Sequence, residues 1–162
     1  MAIPQRIRLS QGGNYSSCMG FYGDEEDNQF WGQVTASFST MPEPPPLDWR
    51  PYKRWYAVLH KFDGSGRHMG TEHWFAGTDA DGSFENHVRH RASAKLDEMV
   101  AALASVHYAD IVIELFRVEI DGGVFGLIDV SKPEDGPEFA ERVLMVPTGL
   151  LFYPPWDGTY DT

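Results

Sequence analysis

RWYAVLHKF (residues 54–62), DGSG (63–66) and RHMGTEHWFA (67–76) together decide the fold class, because they read as two strands of one β-hairpin around a turn. A loop of two or of four residues gives the same register, with Phe62 opposite Arg67. In that register Tyr56, Val58, His60 and Phe62 share a face with Met69, Thr71, His73 and Phe75. Trp55, Ala57, Leu59, Gly70, Glu72 and Trp74 take the opposite face. Both faces are partly apolar, which predicts a central hairpin covered, at least in part, on both sides.

Working outward, QFWGQVTASF (29–38) alternates as a strand, with Phe30, Gly32, Val34, Ala36 and Phe38 on one face. The acidic run Asp24–Asp27 before it reads as a solvated turn, and the proline-rich stretch Met41–Leu47 after it as an extended connection. Beyond the hairpin, the polar loop Thr78–Gly82 leads to a helix with Ser83 as N-cap and Glu85 in its first turn. Phe84, Val88, Ala92, Leu96, Met99, Val100 and Leu103 recur at helical spacing as a buried stripe, and the helix should end near Ser105. A second hairpin follows, Asp110–Ile120 and Val124–Val130, turned by Asp121, Gly122 and Gly123. The alternation of its first strand changes phase between Ile111, Ile113, Leu115 and Phe116, Val118, Ile120, so a β-bulge is expected near Leu115–Phe116. Arg142–Val146 reads as a last strand, and the aromatic, proline-stiffened tail from Phe152 as a segment docked on the body. These elements predict an α+β fold in one domain over residues 1–162. Its mainly antiparallel sheet is built from two hairpins plus flanking strands, with one main helix packed on a face.

Composition supports a real core. Apolar residues make up 42% and aromatics 14%, and 162 residues suit one domain. Cys18 is the single cysteine, which excludes an intrachain disulfide and a thiolate-based metal site built from this chain alone. The first residues lack the apolar run of a signal peptide, and no window has the length of a membrane span, so the cytoplasm is the expected compartment.

Net charge is −11 and unevenly spread. Residues 1–49 carry two basic and six acidic side chains, residues 50–95 eight and five, and residues 96–162 three and thirteen. Such a chain repels nucleic-acid phosphates except at a local basic patch, whereas a basic protein partner is favoured.

In the expected register His60 and His73 share a face, but His73 stands opposite Tyr56, about 13 Å along the strand from His60, too far for one metal ion. His87 and His90 are helical neighbours with no accompanying carboxylate motif. His87, Arg89, His90 and Arg91 form the basic cluster of the chain, either a solvated helix flank or an anion-binding site. Asp79–Glu85 has the flavour of a calcium loop, yet its glycine is fourth where sixth is required. A nucleophile elbow, a phosphate loop and a dinucleotide fingerprint are all missing from the sequence. The residues therefore predict no catalytic group, no metal and no cofactor.

MAIP (1–4), QFWGQVTASF (29–38), RWYAVLHKFDGSGRHMGTE (54–72), FRVEIDGGVFGL (116–127) and FYPPWDGTYDT (152–162) carry a resemblance over most of the chain. Together they resemble a family of small bacterial proteins, some of which bear the label formate hydrogenlyase regulatory protein. The resemblance implies a regulator of transcription or of an enzyme complex and transfers no catalytic residue. Nothing in the chain resembles a DNA reader.

The expected function is a non-catalytic regulatory or inhibitory protein acting through protein–protein contact, for example as an immunity-type inhibitor of a basic toxin. Trp156, Tyr153 and Tyr160 would anchor that interface, ringed by Asp157 and Asp161. A small enzyme or ligand-binding domain using the hairpin and helix histidines is the competing expectation. A structural subunit of a larger assembly is the third.

Overall fold

A computed structural model describes residues 3–10, 17–24, 27–81 and 87–156. Eleven strands and one α-helix are present among them: β1 (Arg6–Leu9), β2 (Ser17–Tyr22), β3 (Asn28–Ser37), β4 (Arg54–Phe62), β5 (His68–Thr78), α1 (His87–Ala101), β6 (His107–Tyr108), β7 (Ile111–Glu114), β8 (Phe116–Ile120), β9 (Gly123–Asp129), β10 (Val143–Val146) and β11 (Leu150–Phe152). They form a five-stranded sheet in the order β5-β4-β3-β2-β6, a four-stranded sheet in the order β11-β10-β9-β8, and the pair β1-β7. Every pairing is antiparallel. The fold is α+β, as the two hairpins and the helical stripe lead one to expect.

Layering follows from the period-2 pattern of the central strands. On β3 and β4, Phe30, Val34, Ala57 and Leu59 point to one side, where they meet Val88, Ala92, Leu96 and Val100 of α1. The other side carries Trp31, Tyr56, Val58 and Phe62, which pack against Phe116, Ile120, Phe125 and Leu127 of β8 and β9. The central sheet is thus sandwiched between a helix and a second sheet, and its β4 residues Tyr56–His60 are all buried.

Hairpin β4–β5 shows how bulges rewrite a register without moving a face. His60 stands opposite Thr71, Val58 opposite His73 and Tyr56 opposite Phe75, two positions from the pairing that a regular hairpin gives. One extra residue enters in the turn, where Phe62 pairs with His68 and not Arg67, and one at the shift between Lys61 and Phe62, which leaves Met69 unmatched; a further shift between Trp55 and Tyr56 leaves Ala76 unmatched. A slip of two preserves side-chain parity, so the predicted faces hold beyond the bulge while the predicted partners change. His68, on the turn side of the Met69 bulge, comes to lie against Phe62 and Phe116 instead of on the Trp74 face.

Two other expectations are corrected. The phase change at Leu115 is a break between strands, not a bulge. Before it β7 pairs with β1, and after it β8 pairs with β9. Expected helix start and cap residues 82–86 lie outside the described residues, while α1 itself stops at Ala101, four residues short of Ser105. Strands β1, β2, β6 and β11 carry no sequence pattern strong enough to have been expected.

The β8–β9 turn is a two-residue loop, since Ile120 pairs with Gly123. Asp121 and Gly122 have φ of +50° and +80°, as a type I′ turn requires. Gly126 has φ of +139°, and a Cβ there would collide with the backbone oxygen of Phe116. The two glycines should therefore respond differently to alanine. Gly126→Ala is expected to cost about 3–5 kcal/mol. Gly122→Ala, whose Cβ would meet nothing within 4 Å, is expected to cost about 1 kcal/mol. Urea unfolding of both variants measures the difference.

Candidate functional site

Burial of the β4 face brings two histidines together. The His60 Nδ1 and the His68 Nε2 each lie 2.8 Å from the Thr71 hydroxyl, and the two imidazole centres are 6.2 Å apart. Phe116 packs on both rings, edge-on to His60 at 4.7 Å and stacked on His68 at 4.8 Å. Trp31 closes the other side of His60 at 5.4 Å.

Burial holds the His68 pKa below its ordinary value, and a hydrogen bond to the Gly70 backbone opposes that depression. The Thr71 hydroxyl bridges the two imidazoles. His60 Nε2 is buried in an aromatic pocket with no hydrogen-bond partner. Desolvation, with the nearby His68 adding to it, pushes the His60 pKa down to about 3. His60 is neutral at neutral pH, and its full burial denies it the solvent contact that acid–base exchange with a substrate requires.

The remaining histidines do not join this pair. His73 is exposed on β5, and His87 and His90 are exposed on α1. Among the described residues, no three His, Cys, Asp or Glu side chains are grouped so that they could hold a metal ion. Cys18 is half-buried, and desolvation raises its thiol pKa to about 11, so it carries little thiolate at neutral pH.

The helical cluster His87, Arg89, His90 and Arg91 is exposed throughout, but its cations are used. The Arg89 guanidinium lies 5.2 Å from the ring centre of Trp55, and the Arg91 guanidinium and the Lys95 ammonium each lie 5.9 Å from that of Trp74. From the other end, Lys53 approaches Trp49 and Trp55 at 5.6 and 5.1 Å. Residues 50–95, the basic third of the chain, thus fold into a cation–aromatic surface over β4, β5 and α1. The sequence shows those cations and tryptophans but not that they interleave, because the contacts join strand and helix.

Tail residues divide in two. Tyr153 is 54% exposed beyond β11. Trp156 is half-buried against the core shared by the two sheets, and its indole N–H donates to Glu141 Oε1 at 3.4 Å. Asp157, Tyr160 and Asp161 lie outside the described residues. Beside this tail runs the 131–142 segment, with Glu134, Asp135 and Glu138 exposed. None of the ion pairs among the described residues involves these three carboxylates.

Comparison with protein-family models, with curated proteins and with solved structures found no match. No helix of the described residues is long and apolar enough to cross a membrane.

A test of the histidine assignment follows from its sign. A folded pKa held below the unfolded value means that the unfolded chain binds the proton first, so stability is full above about pH 6.5 and falls as pH drops toward 3. The expected slope from His60 is about 1.4 kcal/mol per pH unit between pH 6 and 4. In His60→Phe that slope disappears, so wild type should lose more stability than the variant between pH 7 and pH 5 in urea titrations. Equal losses would show that His60 titrates normally.

Proposed function

We propose that this chain is a non-catalytic regulatory or inhibitory protein that binds a basic protein partner through the acidic face at the end of β11. One observation carries the reading: Glu134, Asp135 and Glu138 are exposed without an ion pair among the described residues, in the segment whose Glu141 bonds the tail residue Trp156, and Tyr153 is exposed on that same tail. An aromatic anchor beside unneutralised carboxylates suits a partner with lysines and arginines around an apolar pocket. Opposite fields would steer the encounter and make it salt-sensitive. Trp156 acts in this reading as the support that fixes the tail, and Tyr153 as the side chain that enters the partner.

The family that the sequence resembles implies a regulator as well, and His60 is buried away from solvent. An immunity-type inhibitor is its most concrete form, since toxins that attack nucleic acids present basic surfaces.

The test uses immobilised full-length protein and a variant combining Tyr153→Ala, Glu134→Gln, Asp135→Asn and Glu138→Gln. All four positions are exposed or loop-borne, and the variant should keep wild-type stability within about 1 kcal/mol. Wild type should capture from host lysate a basic protein that the variant does not, and that about 0.5 M salt releases. Equal capture by both proteins would rule this face out as the interface.

A further inference from the structure

β5 is the edge of the five-stranded sheet, and among the described residues no strand pairs with its outer side. The other edge of that sheet, β6, is two residues long, whereas β5 spans eleven. Folded proteins blunt such edges with proline, lysine, bulges or a covering element. HMGTEHWFAGT contains neither proline nor lysine, and its two bulges fall at Met69 and Ala76. Between them Gly70–Phe75 runs in unbroken register with Tyr56–Lys61, six residues of regular edge. Glu72, His73 and Phe75 are exposed along it.

Cations outline this edge, although Arg54 is paired with Asp121 at 3.4 Å and Lys95 with Glu98 at 3.5 Å. On the helix side Trp74 is flanked by Arg91 and Lys95. On the other side the Arg54 guanidinium lies 4.0 Å from the ring centre of Phe75, and His73 is adjacent in sequence. Glu72, the acidic side chain of the strand, is paired with Lys61 at 3.1 Å. Arg91 enters none of the ion pairs among the described residues.

We infer that β5 is a docking edge for an extended acidic segment of a partner protein, added as a sixth strand alongside Gly70–Phe75. Backbone hydrogen bonds would supply the affinity, and the alternate side chains of the added strand would set specificity. Those on one face come beside Trp74, within reach of Arg91 and Lys95. Those on the other come beside His73 and Phe75, within reach of Arg54. Acidic residues on the Trp74 face therefore gain Arg91, which enters no ion pair among the described residues, while those on the His73 face share Arg54 with Asp121. A second copy of this chain pairing β5 with β5 would set Arg54, Arg91 and Lys95 against their own equivalents, which like-charge repulsion disfavours. Nucleic acid is the poorer occupant because Trp55 and Trp74 are already covered by cations and the molecule as a whole is strongly negative. This surface is distinct from the acidic face of the proposed function, and loss of one leaves the other intact.

The test takes full-length protein and a fluorescent peptide of about ten residues alternating Glu and Val, long enough to span the regular edge. Its Lys/Val counterpart and a copy N-methylated at alternate residues, which cannot complete a ladder, are the controls. The Glu/Val peptide should bind, the two controls should not, and bound peptide should slow amide exchange within Gly70–Phe75. The double variant Arg91→Glu, Lys95→Glu, placed on the exposed flank of α1, should weaken binding about tenfold or more. Absence of binding would overturn the inference, as would equal binding of the N-methylated peptide, preference for a labelled dT oligonucleotide, or a dimer in sedimentation whose β5 amides are protected without peptide.

Discussion

Burial of the Tyr56–Phe62 face of β4 against β8 and β9 is the constraint around which the molecule is arranged. Trp31, Tyr56, Phe62 and Phe125 are fully buried at this joint, each worth about 1.5–3 kcal/mol or more for the apolar surface removed from water. Polar bonds fix its alignment at both ends. At one, the Tyr56 hydroxyl donates to the Asp121 carboxylate at 2.8 Å, which ties the β8–β9 turn to β4 and holds the Asp121 pKa below the usual carboxylate range. At the other, Gln29 donates to the Asp63 carbonyl and accepts the Val112 N–H, joining the β4–β5 turn, β3 and β7. With that face committed, α1 has only the opposite side of the sheet to cover.

The same joint takes one of the chain's histidines out of solvent contact. Closing two sheets over β4 takes His60 with it, and desolvation then keeps its imidazole neutral. Thr71, itself bonded to His68, supplies the hydrogen bond that makes the burial tolerable, leaving one orphan nitrogen among rings. The surface is organised by charge: cations interleaved with tryptophans around β5 and α1, carboxylates around the tail.

Much of the architecture was legible in residues 54–76. Alternation over nine residues, a DGSG turn and a second alternating run specify a hairpin whose faces survive any slip by two. Bulges were not legible, because Met69 and Ala76 suit a regular strand as well as an irregular one, and the pairing of His60 with Thr71 was hidden with them. On β3 the apolar face Phe30, Val34 and Ala36 was plain, while Gln33, Thr35 and Ser37 gave no sign of being buried by the second sheet. The break at Leu115 announced itself as a phase change, but a phase change alone does not distinguish a bulge from a strand that leaves one sheet for another. Site residues were legible as types and not as neighbours: Arg91 and Trp74 are seventeen positions apart, and their contact exists through packing of α1 on β5.

A rigid centre and an open edge make opposite demands on the same hairpin, and amide hydrogen exchange of the unliganded protein separates them. In β4, flanked by β3 and β5 and covered on both faces, amides should exchange only through global unfolding. In Gly70–Phe75, the alternate amides that point away from β4 should exchange orders of magnitude faster than their neighbours that point toward it. Uniformly slow exchange along β5 would mean that its edge is covered, and would contradict the account at its centre.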